Sequence, residues 1–63
     1  MSTSQVVAVL ERATNDLIFR ELLFANPAEA LMGYDLTAEE YEQLSDLNAD
    51  NFETFKGQWI PGG

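Results

Sequence analysis

Apolar residues recur along the first third of the chain at the spacing of helical faces. The first face holds Val6, Leu10, Ala13 and Leu17. The second face holds Ile18, Phe19, Leu22 and Leu23. Intervals of three and four residues place such side chains on one side of a helix. The polar stretch Thr14-Asn15-Asp16 between the two faces favours a new helix start. The pattern therefore predicts either one kinked helix or two nearly continuous helices.

Capping signals predict where the first helices begin. Ser2 and Gln5 have the residue types and spacing of a capping box, in which each side chain bonds the backbone of the other residue. Asn26 is followed by Pro27 and, three positions after the Asn, by Glu29. Asn is a preferred N-cap, Pro is tolerated at the first helical position, and Glu completes the box. The stretch predicts a sharply defined helix start.

The second half of the chain repeats this arrangement of caps and stops. Gly33 is suited to the left-handed residue that ends a helix, and Thr37 with Glu40 forms another capping box. Asn48 is predicted to cap the last helix and Gly57 to end it. Because no strand pattern is present, we expect an all-α fold, a compact bundle of four to five short helices with an irregular C-terminal tail. The predicted helical recognition domain spans residues 1–56, and the tail spans residues 57–63.

The charge of the chain is strongly acidic and unevenly distributed. Eleven Asp and Glu oppose three Lys and Arg, which gives a formal charge of −8 and a pI near 4.1. The stretch from residue 21 to residue 53 contains no Lys or Arg, and its acids are Glu21, Glu29, Asp35, Glu39, Glu40, Glu42, Asp46, Asp50 and Glu53. Such a surface repels a phosphate backbone, so no nucleic-acid partner is expected. It is either a solvated face or a footprint for a basic groove on a protein partner.

The residue inventory argues against catalysis by this chain. There is no His and no Cys, which are the side chains that most often act as bases, nucleophiles and zinc ligands. Glu39 and Glu40 are adjacent in the first turn of a predicted helix, where carboxylates complement the helix dipole. We therefore predict a protein that is not an enzyme, with no metal and no cofactor of its own. A membrane span and a signal peptide are also not expected, so the predicted location is the cytoplasm.

The segment FRELLFANPAEALMGYDLTAEEYEQL, from Phe19 to Leu44, resembles a recurring small helical domain. Its pattern is a Leu pair, Asn-Pro-x-x-Ala-Leu, a link, Leu-Thr and an acidic pair. One setting of this pattern is the leader region of ribosomally made, post-translationally modified peptides (RiPPs), including nitrile-hydratase-like leader peptides and the recognition domains of split borosin precursors. The other setting is the small alpha subunit of extradiol ring-opening dioxygenases.

The resemblance implies two alternative functions. As a RiPP precursor or leader-like protein, the chain would bind a modifying enzyme with a basic groove and present its C-terminal tail as substrate. The borosin likeness implies an alpha-N-methyltransferase whose S-adenosylmethionine is held by the partner. As a dioxygenase small subunit, the chain would be non-catalytic, and the iron would belong to the partner. A third alternative is an acidic protein-interaction adaptor, and self-association is compatible with each of these alternatives.

Under the precursor hypothesis, the docking surface involves the region between residues 26 and 40 together with exposed acids. The predicted partner-binding residues are Asn26, Pro27, Glu29, Met32, Tyr34, Asp35, Thr37, Glu40 and Tyr41. Met32, Tyr34 and Tyr41 are the expected partly exposed anchors, because Met and Tyr are favoured at interfaces. The predicted core residues are Phe19, Leu22, Leu31, Leu36 and Leu44.

The C-terminal tail is the predicted modified or processed segment. Its candidate residues are Lys56, Trp59, Ile60, Gly62 and Gly63. Residues 57–63 contain no Ser, Thr or Cys, which excludes lanthionine or azole formation within them. Backbone N-methylation, chemistry at Trp59 or a Lys56–Trp59 crosslink are the remaining options. Phe52, Phe55 and Trp59 share helical spacing, so Trp59 either packs on the core, belongs to an exposed substrate segment or lies in a frayed end.

Overall fold

Five helices form the chain between residues 5 and 60, the part that the computed structural model describes. They are α1 (Gln5–Asn15), α2 (Leu17–Ala25), α3 (Pro27–Ala30), α4 (Ala38–Ser45) and α5 (Phe52–Trp59). Residues 5–60 contain no β-strand. The predicted all-α class is therefore confirmed. None of the helices in this range is long and apolar enough to cross a membrane.

The junction between α1 and α2 is a single capping residue. The carboxylate of Asp16 accepts a hydrogen bond from the Phe19 N–H at 3.1 Å and caps α2. The Asp16 N–H in turn donates to the Arg12 carbonyl at 2.8 Å, so it continues the hydrogen-bonding of α1. The chain thus forms two nearly continuous helices, the second of the two predicted forms. The predicted cap at Ser2 lies outside the described residues.

Asn26 joins α2 to α3. Its N–H donates to the Leu22 carbonyl at 2.6 Å, and its side-chain oxygen accepts from the Glu29 N–H at 3.4 Å. Pro27 occupies the first turn of α3, as predicted. The predicted second bond of this capping box, from the Asn26 N–H to the Glu29 carboxylate, is not formed. That N–H donates to the Leu22 carbonyl instead. Asn26 therefore ends one helix and begins the next.

The link from α3 to α4 follows its predicted turn chemistry. Gly33 has φ of 93°, the left-handed conformation that L side chains rarely adopt. Thr37 and Glu40 form a complete capping box, with both backbone-to-side-chain bonds at 3.1 Å. These features fix the direction in which the chain enters α4.

The predicted bounds of α5 are wrong at both ends. The side-chain oxygen of Asn48 accepts from the Asp50 and Asn51 N–H groups at 2.8 and 3.1 Å and forms a turn, and the helix itself begins at Phe52. Gly57 lies inside α5, which continues to Trp59. An interior Gly costs about 1 kcal/mol in helix propensity. The tertiary contacts of the last turn offset this cost, because helices in proteins are stabilised chiefly by packing.

The hydrophobic core receives side chains from all five helices. The buried residues are Val6, Val9, Leu10, Ala13, Phe19, Leu23, Ala30, Leu31, Leu44, Leu47 and Phe52. Among the predicted core residues, Phe19, Leu31 and Leu44 are buried, whereas Leu22 and Leu36 are half-buried against the core. Ile18 contradicts its predicted place in the α2 stripe, since its side chain is 81% exposed. Phe19 and Leu23, four positions apart, define the buried face instead, and Ile18 points about 100° away from Phe19.

Candidate protein-interaction surface

The predicted partner-binding residues follow one another from the start of α3 to the first turns of α4. The two helices contact each other, so the ends of the segment are close together in the fold. The exposed members are Asn26, Glu29, Met32, Asp35, Thr37 and Tyr41. The half-buried members are Pro27, Tyr34 and Glu40.

Three of these residues have structural roles that account for their presence. Asn26 caps α3, and Thr37 and Glu40 bond each other's backbone at the start of α4. Replacing a capping side chain by Ala typically costs about 1 kcal/mol. Their side chains therefore form hydrogen bonds within the fold, so they are less available for hydrogen bonds to a partner.

The side chains left for contact with a partner are Glu29, Met32, Asp35 and Tyr41, which we call the acidic turn face. Met32 is 76% exposed in the turn that precedes Gly33, and Tyr41 is 37% exposed on α4. Exposed acids lie close to Met32 in the chain on both sides. Met is enriched at protein interfaces relative to the rest of the surface, so Met32 is the member of this face best suited to contact a partner.

Tyr34 differs from the other expected anchors because it packs into the fold. Its ring lies 6.3 Å from the Phe19 ring, centroid to centroid, and the Arg12 guanidinium lies 4.4 Å from the Phe19 centroid. Hydrogen bonding to Tyr34 raises the pKa of Arg12 above its ordinary value. This three-residue stack connects α1, α2 and the link before α4. The contact of Arg12 with Tyr34 could not be predicted from the sequence, because Tyr34 is distant along the chain.

All three cationic side chains of the protein lie near core aromatic rings. Besides Arg12 over Phe19, the Arg20 guanidinium and the Lys56 amine lie 5.9 and 5.8 Å from the centroid of Phe52. Lys56 also pairs with Glu53 at 3.3 Å. Cations in these positions interact with the ring quadrupole. The segment from residue 21 to residue 53 contains nine acids and no Lys or Arg, so its net charge is strongly negative even though Glu53 pairs with Lys56.

The described part of the C-terminal segment belongs to the folded domain. Trp59 and Ile60 are half-buried and pack against the core, and the Trp59 and Phe55 rings lie 6.1 Å apart. Among the three alternatives for Trp59, the structure shows core packing. Lys56 is also largely enclosed, with its side chain 16% exposed. Gly62 and Gly63 lie outside the described residues.

Two exposed apolar residues were not predicted. Leu17 and Ile18, in the first turn of α2, are 56% and 81% exposed. The signal that could have found them is Asp16, whose capping fixes the start of α2 and hence the direction of each following side chain. Elsewhere in residues 5–60, no group of three or more Asp, Glu, His or Cys side chains could hold a metal ion.

Comparisons with protein-family models, with curated proteins and with solved structures found no match to this chain.

Proposed function

We propose that this chain is a non-catalytic acidic recognition module that binds a larger protein through the acidic turn face. The observation that carries this proposal is the 76% exposure of Met32 in a tight turn, with the acids Glu29 and Asp35 on either side in sequence. Met fills irregular apolar pockets because its side chain is unbranched and polarizable. Tyr41 adds a second anchor on α4, the helix that follows the turn.

The chemistry of the face favours a partner with an apolar pocket inside a basic groove. Nine acids without a Lys or Arg between residues 21 and 53 would attract such a groove and speed the encounter. The partner class that we propose is a cytoplasmic enzyme that modifies a RiPP precursor. In the borosin-like form of the proposal, this partner is an alpha-N-methyltransferase that holds the S-adenosylmethionine, and the present chain supplies recognition and substrate.

The fold of α5 narrows the chemistry available to such an enzyme. The Ile60 N–H donates to the Lys56 carbonyl at 2.8 Å, and methylation of that nitrogen would remove the bond. N-methylation at this position therefore requires the last turn of α5 to unwind first. The Lys56 and Trp59 side chains lie one turn apart on α5, but both are partly buried, so an enzyme acting on either side chain would also have to displace it from the fold. Gly62 and Gly63 follow α5 in the sequence and complete the proposed substrate segment.

The proposal is tested by titrating the folded chain with a modifying enzyme encoded beside it. Met32→Ala and Tyr41→Ala should each weaken binding about tenfold, the effect of losing about 1.4 kcal/mol at an interface anchor. Thr54→Ala is the matched control, since Thr54 is exposed on α5 and outside the acidic turn face. Binding should also weaken with added salt if acids face a basic groove.

Two outcomes would contradict the proposal. The first is equal binding by the wild type and the Met32→Ala variant. The second is a stable complex with the large iron-dependent subunit of a ring-opening dioxygenase and none with a modifying enzyme. Mass spectrometry of residues 56–63 after incubation with enzyme and S-adenosylmethionine would then separate recognition from modification. If the chain binds the enzyme but its mass is unchanged, the proposed recognition role would stand and the proposed substrate role would be wrong.

A further inference from the structure

An apolar groove runs beside the exposed start of α2. Its volume is about 380 Å³, and it lies between α2 and the segment that leads into α5. Phe24 and Phe52 form its floor, with their rings edge-to-face and 5.7 Å apart. Leu17 lines one wall and is 56% exposed, and Ile18, 81% exposed, is the next residue along α2. Ile18 is not among the residues that line the cavity; we call the cavity, together with this neighbouring residue of α2, the α2 groove.

The α2 wall of the groove combines apolar contact with one charge of each sign. Leu17, Arg20, Glu21 and Phe24 have the spacing of a single helical face and all line the cavity. Ile18 lies three positions before Glu21, so the two side chains are neighbours on the helix surface. Both a cation and an anion are thus available within one turn of the exposed Leu and Ile.

This charge pattern favours a second copy of the chain over a partner of a single charge sign. A basic partner segment would be attracted by Glu21 but repelled by Arg20. An acidic segment would be attracted by Arg20 but repelled by Glu21. The opposite wall adds Glu53, which is paired with Lys56 of the same chain at 3.3 Å. In a two-fold symmetric contact the same patch faces itself, so Arg20 and Glu21 of one copy can each face the opposite charge of the other copy. Residues 5–20 contain two acids, Glu11 and Asp16, and two cations, Arg12 and Arg20, so their charges cancel. Repulsion between copies is therefore weaker along residues 5–20 than along residues 21–53, which contain nine acids and no Lys or Arg.

We propose that two copies of this protein associate through the α2 groove. The two α2 helices pack antiparallel, and Ile18 of each copy contacts the Phe24–Phe52 floor of the other. Arg20 of each copy then faces Glu21 of the other. The shared contact removes Leu17 and Ile18, two of the exposed apolar side chains of the isolated domain, from water. Because the formal charge of −8 on each chain opposes association, the dimer is weak and forms at high protein concentration.

Sedimentation equilibrium at protein concentrations up to ~1 mM tests the proposal, since a millimolar dissociation constant is the weak limit of specific association. The wild type should show a monomer–dimer equilibrium. Ile18→Glu should weaken it roughly a hundredfold, because the symmetric contact loses this side chain twice. Met32→Glu is the matched control: Met32 is also highly exposed, at 76%, and the charge change is identical. Circular dichroism checks that both variants stay folded.

Charge reversal provides a second test that a general loss of hydrophobicity would not mimic. Arg20→Glu alone places like charges opposite each other and should weaken the dimer, as should Glu21→Arg alone. The double variant restores opposite charges across the two-fold axis and should recover most of the association. A wild type that stays monomeric at ~1 mM, an equal effect of Met32→Glu, or no recovery in the double variant would each overturn the proposal.

Discussion

At the scale of single residues, two glycines with open space around them obey opposite backbone rules. A Cβ added at Gly33 or at Gly57 would meet no atom within 4 Å, so packing does not distinguish the two positions. Gly33 has φ of 93° in a turn, whereas Gly57 lies inside α5. The left-handed conformation penalises any L side chain, and a helix interior favours Ala over Gly.

The two Gly→Ala substitutions should therefore change stability in opposite directions. Gly33→Ala should lower the free energy of unfolding by about 1 kcal/mol. Gly57→Ala should raise it by about 0.5–1 kcal/mol. Chemical denaturation of the two variants beside the wild type measures both signs in one experiment. A destabilising Gly57→Ala would mean that α5 does not continue through this position.

Trp59 connects the end of α5 to the rest of the core. Because its indole is half-buried beside Phe55, Trp59→Ala should lower the free energy of unfolding by about 2 kcal/mol. This loss is below the range for a fully buried aromatic residue. Gln58→Ala is the control, since Gln58 is the preceding residue on the same helix and is exposed. Thermal unfolding followed by circular dichroism gives both values. Equal stability of the two variants would show that Trp59 does not contribute to the core and would favour an exposed substrate segment.

At the scale of helices, the sequence predicts best where a side chain bonds its own neighbourhood. Thr37 with Glu40, Asn26 with Pro27, and Gly33 are all as expected, because a cap or a left-handed turn depends on residues within about four positions. The end of α5 was missed because it depends on the packing of Trp59 against distant parts of the chain, and the start was missed because the short-range bonds of Asn48 form a turn before the helix. Local rules read Asn48 as a cap and Gly57 as a stop, but turn geometry and the packing of Trp59 decide both ends.

The candidate surface was predictable to the same limited extent. Met32 and Tyr41 are exposed as expected, since they flank turns and caps that the sequence specifies. The exposure of Ile18 and the packing of Tyr34 were not predictable, because each depends on which face of a helix another element covers. Patterns of apolar spacing identify a face, but they do not identify its neighbour.

The capping box of α4 gives a test at this scale. Thr37→Ala removes the hydroxyl that accepts from the Glu40 N–H and should lower the free energy of unfolding by about 1 kcal/mol. Thr54→Ala removes the same atoms from an exposed position within α5 and should have little effect. Hydrogen exchange adds a local measurement: amides in the first turn of α4 should exchange faster in Thr37→Ala. Unchanged exchange there would mean that the box does not hold the helix start.

At the scale of the whole molecule, charge and burial act against each other. The core contains no buried polar or charged side chain in the described residues, so the fold depends on apolar burial in a very short chain. The formal charge of −8 is distributed over the surface of that small volume, and like charges destabilise the compact state. The acidic segment that would attract a basic partner is thus also a cost to the free protein.

Salt dependence of stability measures that cost directly. Raising NaCl from about 0.01 M to 0.3 M shortens the screening length severalfold and should raise Tm by roughly 5 °C, which corresponds to about 1 kcal/mol in a domain of this size. The control is the double variant Glu42→Gln/Asp46→Asn, in which two exposed carboxylates outside the first turn of α4 are removed and the formal charge changes from −8 to −6. Its Tm should start higher and respond less to salt. Measurements at micromolar protein keep association from contributing. If the Tm of the wild type does not respond to salt, repulsion between surface carboxylates does not lower the stability of this fold. Binding a basic partner would then not stabilise the protein by relieving that repulsion.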